Sequence, residues 1–479
     1  MPRRYLVLSD LHLCDVEDHD DGWMAHKSAR YVFDDDIGAL LRRFEETASE
    51  GRELVLILNG DVFDFDLISA TPENPPWPIK HRERSCGLDA TAEKSAWKIE
   101  RVLNHHPRFV EALGAFLARG HRVVYILGNH DRELHFPEVR NVFVKCIDAS
   151  VAAHGATLES DQLRIEPWFY YVPGELYAEH GNQYDYYTSF RYLLEPTVPT
   201  RLGPTIALPM GNLSNRILMN RMGFFNPHAS DYILNLFRYV THWVRHYAFS
   251  KRSLAAVWFW GSIATVGRLI NLKSKLRHAP PAHRERAFAL AERFNLDRDT
   301  VKQLEQLQRP PITERFFRIL RELWIDRMIV AGAMIVGTIV LALVPIPLWI
   351  KLMVPLSSFP LIFLIYEWLA EGETIFTVEQ KLPKYARAIA SILSVRVVTF
   401  GHTHKPRMIP LDHDLTFVDT GTWAPIMKKM GKRALVSGYR NYAIFDFAKK
   451  DGAVHLACWS RGEHTEVERG GELEEAEER

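Results

Sequence analysis

The sequence predicts an α/β protein of the α+β kind, in which one domain of strands and helices is split by a long helical insertion. Three observations carry this. Short apolar runs rich in β-branched residues alternate with helical periodicities through the first 186 residues, and runs of the same kind return after residue 391. Between them lie about two hundred residues of helical character, rich in aromatic residues and arginine, that hold the longest apolar stretch of the chain. At 479 residues the chain also exceeds the usual size of one domain, which leaves room for a catalytic unit and an accessory region.

Strands are expected at residues 5–9, 54–59 and 122–127, with helices between them. The helix after Asp36 carries Ile37, Leu40, Leu41 and Phe44 at the i, i+3, i+4, i+7 spacing of a buried stripe, and Phe109, Val110, Leu113, Phe116 and Leu117 repeat it. Both stripes read as core faces without chemistry. Strand patterns follow at 168–172 and 175–178, then late in the chain at 395–400, 415–418, 442–447 and 454–459. The implied division is a first half-domain over 1–186, an insertion over 187–391, a second half over 392–461, and a glutamate-rich tail over 462–479. The tail has no apolar period and is expected to be solvated and disordered. No internal repeat is present.

Within the insertion, residues 328–350 contain no charge across 23 positions. At about 1.5 Å per residue that run reaches the ~30 Å thickness of a bilayer core. A second uncharged run, 352–366, follows Lys351, and Pro345 and Pro347 lie where a helical hairpin would turn. Two halves of one domain must stay on the same side of a membrane, so an even number of crossings is required, and a hairpin over about 328–366 satisfies it. A shorter segment, 254–267, is flanked by Lys251, Arg252, Lys273, Lys275 and Arg277 and reads as an interfacial helix. The competing reading makes all three segments core helices of a soluble cap.

Lysine and arginine number 59, as do aspartate and glutamate, so no global field recruits nucleic acid, and none is expected as a partner. Cys14, Cys86, Cys146 and Cys458 show no CxxC spacing and sit in a chain too large to need disulfide staples, which points to a reducing compartment. The N-terminal apolar run is only a few residues long and already contains Asp10 and His12, against a signal peptide. The expected location is therefore a membrane-associated protein with a cytoplasmic catalytic domain.

Five short motifs follow five strand patterns. Asp10 and His12 lie two apart, on one side of an extended chain, where a carboxylate and an imidazole can grip one metal. Asn59-Gly60-Asp61-Val62-Phe63-Asp64 delivers two acids directly after a buried run, which is costly unless they are paired or metal-bound. Gly128-Asn129-His130-Asp131, Glu179-His180-Gly181-Asn182 and Gly401-His402-Thr403-His404 complete the set, each at the carboxyl end of a strand, where open α/β sheets place ligand sites. Singly each could be a turn or cap; in this order they form one constellation.

The set DxH, GDxxD, GNHD, HGN and GHTH resembles the calcineurin-like metallophosphoesterases, over residues 1 to about 185 and 392 to 460. The resemblance implies a β-sandwich flanked by helices and two divalent metal ions, manganese above all, with iron or zinc suited to the same mixed O and N donors. Asp10, His12, Asp61 and His404 would bind one ion, and Asp61, Asn129, His180 and His402 the other, with Asp61 as the bridge. It also implies that His130 lies near the leaving group as proton donor or transition-state stabiliser, with Asp64 orienting its ring. Thr420 to Trp423 resembles the segment that buttresses such a site.

Within the superfamily the sequence is most similar to the UDP-2,3-diacylglucosamine pyrophosphatases, through Asp10-Leu11-His12-Leu13-Cys14, Gly60-Asp61-Val62-Phe63-Asp64 and Gly401-His402-Thr403-His404-Lys405-Pro406. It departs from them at His130, where they carry arginine, and in the length of its insertion. The expected function is hydrolysis of a phosphodiester or pyrophosphate bond in a lipid-linked substrate. The alternatives are a phosphodiesterase or protein phosphatase for soluble substrates with an unrelated anchor, and a scaffold that kept the fold without the chemistry.

Overall fold

A computed structural model of the chain describes residues 3–16, 34–49, 51–221, 254–369, 378–424, 426–430, 433–437, 440–448, 454–460 and 463–466. The strands, in chain order, are β1 (Arg3–Leu8), β2 (Glu53–Asn59), β3 (Arg122–Ile126), β4 (Leu163–Glu166), β5 (Phe169–Val172), β6 (Leu176–Glu179), β7 (Thr197–Thr200), β8 (Gly203–Ile206), β9 (Val397–Phe400), β10 (Arg407–Pro410), β11 (Thr416–Asp419), β12 (Ile426–Met430), β13 (Arg433–Ser437), β14 (Asn441–Asp446), β15 (Val454–Ser460) and β16 (Glu463–Glu466). Seven of them form one sheet in the order β16-β15-β14-β1-β2-β3-β4, and five form a second in the order β10-β11-β9-β6-β5.

Strands from the two ends of the sequence pair in both sheets. β1 runs antiparallel to β14, with Tyr5 opposite Phe445, and β6 runs parallel to β9, with Tyr177 opposite Val398. Between β8 and β9 the described residues contain only helices and turns. Successive residues of β1 and β2 are buried alike, Tyr5 to Leu8 and Leu54 to Leu58, so both faces of the central strands are covered, as their uninterrupted apolar sequence requires. The helices Asp34–Glu46 and Pro107–Ala118 supply the two predicted stripes, whose apolar members are buried in one core shared with both sheets.

The insertion contains elements beyond the helices expected. Residues 197–206 form a β-hairpin, β7 with β8, where only helix was predicted. The helix Met210–Ile217 is almost wholly buried, with Asn212 and Arg216 hydrogen-bonded to the loops after β2 and β3. The uncharged run 328–350 is not one helix: Ile325–Leu343 ends before Pro345, and Leu348–Leu369 begins after Pro347, each proline lacking the N–H a continuing helix needs. The hairpin is thus present with its turn at the predicted prolines. Both helices have the length and apolarity to cross a membrane, and their apolar windows are only 6% and 0% buried. The segment read as interfacial is a longer helix, Leu254–Lys275. At the C-terminus β16 pairs with β15, so the sheet continues four residues into the expected tail, whose remainder lies outside the described residues.

Candidate metal centre and active site

Every predicted motif follows a strand end: Asp10 and His12 after β1, Asp61 and Asp64 after β2, Asn129 and His130 after β3, His180 after β6, His402 and His404 after β9. The loops are laced together through backbone hydrogen bonds. Asp10 N donates to Gly60 O (3.1 Å), His12 N to Asp61 O (2.9 Å), Phe65 N to His130 O (3.2 Å) and Gly401 N to His180 O (2.9 Å). Trp423 N and Thr422 Oγ1 both donate to Asp10 O, at 3.0 and 2.9 Å, so the 420–423 segment does support the first loop.

The side chains converge. Atoms of Asp10, His12 and His404 form one group able to hold a metal ion, and atoms of Asp61, His180 and His402 another, each within 4.8 Å of one another; His12, Asp61 and His130 form an overlapping third. Nε2 of His404 lies 3.2 Å from Asp10 Oδ1, and Nε2 of His180 lies 3.0 Å from Asp61 Oδ2. Asn129 Oδ1 is buried without a hydrogen bond, which leaves it available as a ligand atom. Asp10, Asp61 and Asn129 are at most 1% exposed, whereas His404 retains 22% of its side-chain surface and marks the mouth of the site.

Holding these atoms together strains the backbone. Asp10, His12, Asp61, His402 and His404 all adopt positive φ, between 50° and 70°, a region that costs of order 1–3 kcal/mol for a side chain with a Cβ and persists where the surroundings enforce it. Close approach also demands glycine. A Cβ on Gly128 would lie 2.1 Å from Asp61 Oδ1, and one on Gly60 2.4 Å from His180 Nδ1.

The donor set fits a divalent cation. His180 Nδ1 donates to the carbonyl of Asn59 (3.0 Å), which leaves Nε2 as a lone pair facing the Asp61 carboxylate; Nε2 itself makes no hydrogen bond. Two acceptors so placed repel unless a cation or proton lies between them. Burial opposes a charge on His180, yet Asp61 and Asp10 override it and raise the imidazole to about 9. The site therefore draws positive charge, and oxygen and nitrogen donors are those that divalent transition metals take. Asp64 and then Asp61, acting against burial, raise His130 well above the usual histidine range. Burial and then the Asp61 charge push Asp131 up to about 6; its carboxyl accepts from Tyr125 OH (2.6 Å), Val62 N (2.9 Å) and Gly128 N (2.7 Å) and so braces the β2 and β3 loops.

Asp64 faces two imidazoles at once. Oδ2 lies 3.0 Å from His12 Nδ1, and Oδ1 lies 3.1 Å from His130 Nδ1. Several partners escaped sequence reasoning. Asp185 and Thr188 each approach His402 Nε2 at 3.2 Å, and Asp66 Oδ2 approaches His130 Nδ1 at 3.3 Å. Asp66 repeats the Asp-Phe spacing of Asp64 and could have been noticed there; Asp185 and Thr188 follow His180 within eight residues but belong to no metal-ligand spacing.

Comparison with curated proteins finds no match. Residues 3–237 match the family model of the calcineurin-like phosphoesterases, a span that takes in the loops after β1, β2, β3 and β6 with Asp10, His12, Asp61, Asn129 and His180. With His402 and His404 brought to the same centre by β9, the chain carries a calcineurin-like phosphoesterase domain and is a metal-dependent phosphoesterase.

Proposed function

We propose that the centre holds two divalent ions, manganese best among them, and that the enzyme hydrolyses a phosphodiester or pyrophosphate bond in a lipid-linked substrate at a membrane surface. Asp10, His12, Asp61 and His404 would hold one ion, and Asp61, Asn129, His180 and His402 the other. When bound, such ions supply Lewis-acid activation of the phosphoryl group and of attacking water. The chain's own residues do the rest: Asp64 orients His12 and His130, and His130, held charged by the surrounding carboxylates, donates a proton to the leaving oxygen.

The observation that favours a lipid-linked substrate is where the apolar hairpin is rooted. Arg309 N donates to Gln183 O (2.8 Å), Ile312 N to Tyr186 O (2.8 Å), and Tyr186 OH to Glu322 Oε1 (2.7 Å), while Arg318 lies over the Tyr186 ring at 4.3 Å. The segment that enters the first apolar helix is thereby fastened to the turn that follows His180 and contains Asp185. Trp324 and Phe317, exposed at 64% and 84%, stand beside Arg315, Arg318, Arg321 and Arg327 at that root, the aromatic and basic mixture suited to a headgroup layer. A phosphoester carried just above the acyl chains would meet the metal centre there.

The test is turnover of the manganese-loaded, detergent-solubilised protein on UDP-2,3-diacylglucosamine in mixed micelles beside bis(p-nitrophenyl) phosphate. A kcat/KM higher on the lipid supports the reading. Equal or better activity on the soluble diester overturns the lipid assignment, and activity that survives Asp61→Ala and His402→Ala overturns the metal mechanism.

A further inference from the structure

The helix Met210–Ile217 belongs to no motif, yet it enters the catalytic loops from behind with two polar side chains, Asn212 and Arg216, that are 0% and 4% exposed. Asn212 Nδ2 donates to the backbone carbonyl of Asn129 (3.0 Å) and to Asp66 Oδ2, and its Oδ1 lies 3.5 Å from Asn129 Nδ2. Arg216 forks between two buried carboxylates, Asp66 and Glu133, and its Nη1 donates to Leu88 O (3.1 Å). Asn220, just beyond the helix, donates to the Asp66 carbonyl (2.6 Å).

These contacts bracket one loop. Asn129 and Glu133 stand at its two ends, and His130 lies between them with its Nδ1 facing both Asp64 and Asp66. Two buried carboxylates aimed at one imidazole would repel each other and leave one of them unpaired, which is expensive in a dry site. Arg216 neutralises Asp66 through a planar fork that also fixes its orientation. Asp64, Asp66 and His130 form a cluster that could by distance alone hold a metal ion, but the guanidinium already supplies the cation there.

We propose that Asn212 and Arg216 are positioning residues for the hydrolysis: Asn212 fixes the Asn129 backbone, and Arg216, through Asp66 and Glu133, fixes the ring of His130 on the leaving-group side. The proposal rests on the reading of His130 as proton donor to the leaving oxygen. A buried network that served stability alone would lower the melting temperature and the amount of folded enzyme, and would affect all substrates alike. A network that aims a proton donor affects them unequally, because a nitrophenolate departs without a proton and a poorer leaving group does not.

The experiment measures kcat and KM of the full-length, manganese-loaded protein for a series of aryl phosphodiesters from bis(p-nitrophenyl) to diphenyl phosphate, in wild type, Arg216→Lys, Arg216→Met, Asn212→Ala and His130→Ala. Loss of a placed proton donor is worth about 10²–10⁴-fold. The expected result is a kcat loss of about 100-fold on the diphenyl ester in Arg216→Met, under about tenfold on the p-nitrophenyl ester, with KM little changed and Arg216→Lys intermediate because it keeps the charge without the fork. Equal losses on all esters in both Arg216 variants, or none, overturn the proposal. Should Arg216→Met fail to fold, Arg216→Lys and Asn212→Ala carry the test, since Asn212→Ala leaves the ion pairs intact. If His130→Ala itself shows no dependence on the leaving group, the reading of His130 fails separately from that of Arg216.

Discussion

Oδ2 of Asp64 lies 3.0 Å from Nδ1 of His12, and this one contact decides which face of the imidazole a metal meets. With Nδ1–H donated to the carboxylate, Nε2 faces Asp10 Oδ1, 3.8 Å away, and His404 Nε2, 3.1 Å away. Asp64→Asn leaves the shape and removes the charge. Its manganese affinity, read by titration against a chelator, is expected to fall about 10–100-fold, the usual cost of losing a carboxylate behind a metal-bound histidine. Unchanged affinity would remove Asp64 from the metal centre.

Gly60 offers a test of how tightly the second group is built. It sits at φ 84°, and a Cβ there would meet Nδ1 of His180 at 2.4 Å, displacing the ring whose hydrogen bond to Asn59 aims Nε2. Gly120, at φ 85°, has nothing within 4 Å of the same added atom. Both Gly→Ala substitutions incur about 1–3 kcal/mol of backbone strain. Only Gly60→Ala is expected to lose bound manganese and activity as well, measured by metal content after gel filtration. Metal loss in both would show that strain governs the outcome, and loss in neither would show that the His180 contact does not hold the metal.

How far the sequence reveals this site follows from what each residue needs. The convergence of Asp10, Asp61, His180 and His402 was legible because each is delivered by its own strand end, and strand ends announce themselves through apolar runs broken by glycine and polar residues. Arg216 and Asn212 were not, since a buried polar pair on a short helix has no spacing of its own and gains meaning only from partners more than eighty residues away. The β7–β8 hairpin escaped for a related reason: with two prolines in eight strand residues its segment reads as a loop. Register between β1 and β14 was equally hidden, because it is set across more than four hundred residues.

Lys98 gives the clearest pH dependence away from the metal ligands. Its Nζ donates to Phe65 O at 3.1 Å, and burial, reinforced by Arg216, pushes the ammonium down from 10.5 to about 7. Between those values the unfolded chain holds a proton there that the folded one does not. Stability must therefore rise with pH across the window from about 7 to 10.5, by at most ~1.4 kcal/mol per pH unit, and the full penalty is felt below 7. Thermal unfolding of wild type and Lys98→Met from pH 6 to pH 10 isolates it. The difference, wild type minus variant, is expected to climb with pH; a difference that is flat or falls would mean that Lys98 stays charged in the folded protein.

The two apolar helices pose a question that charge can answer. Ile335 is 57% and Leu356 69% exposed, each near the middle of its helix, with no protein packed over them among the described residues. In water this face would be an aggregation hazard; in a bilayer it is the solvent-facing surface. A lysine at the centre of a membrane span costs about 2.5–3.5 kcal/mol on insertion scales. Ile335→Lys combined with Leu356→Lys is therefore expected to shift the protein from the carbonate-resistant membrane fraction to the soluble one. Because β1 and β14 pair in one sheet, both must lie on the same side of any membrane, so tags at the two termini should show the same protease protection in sealed vesicles. Opposite protection would exclude a hairpin, and a double-lysine variant that remains carbonate-resistant would place the membrane contact elsewhere in the chain.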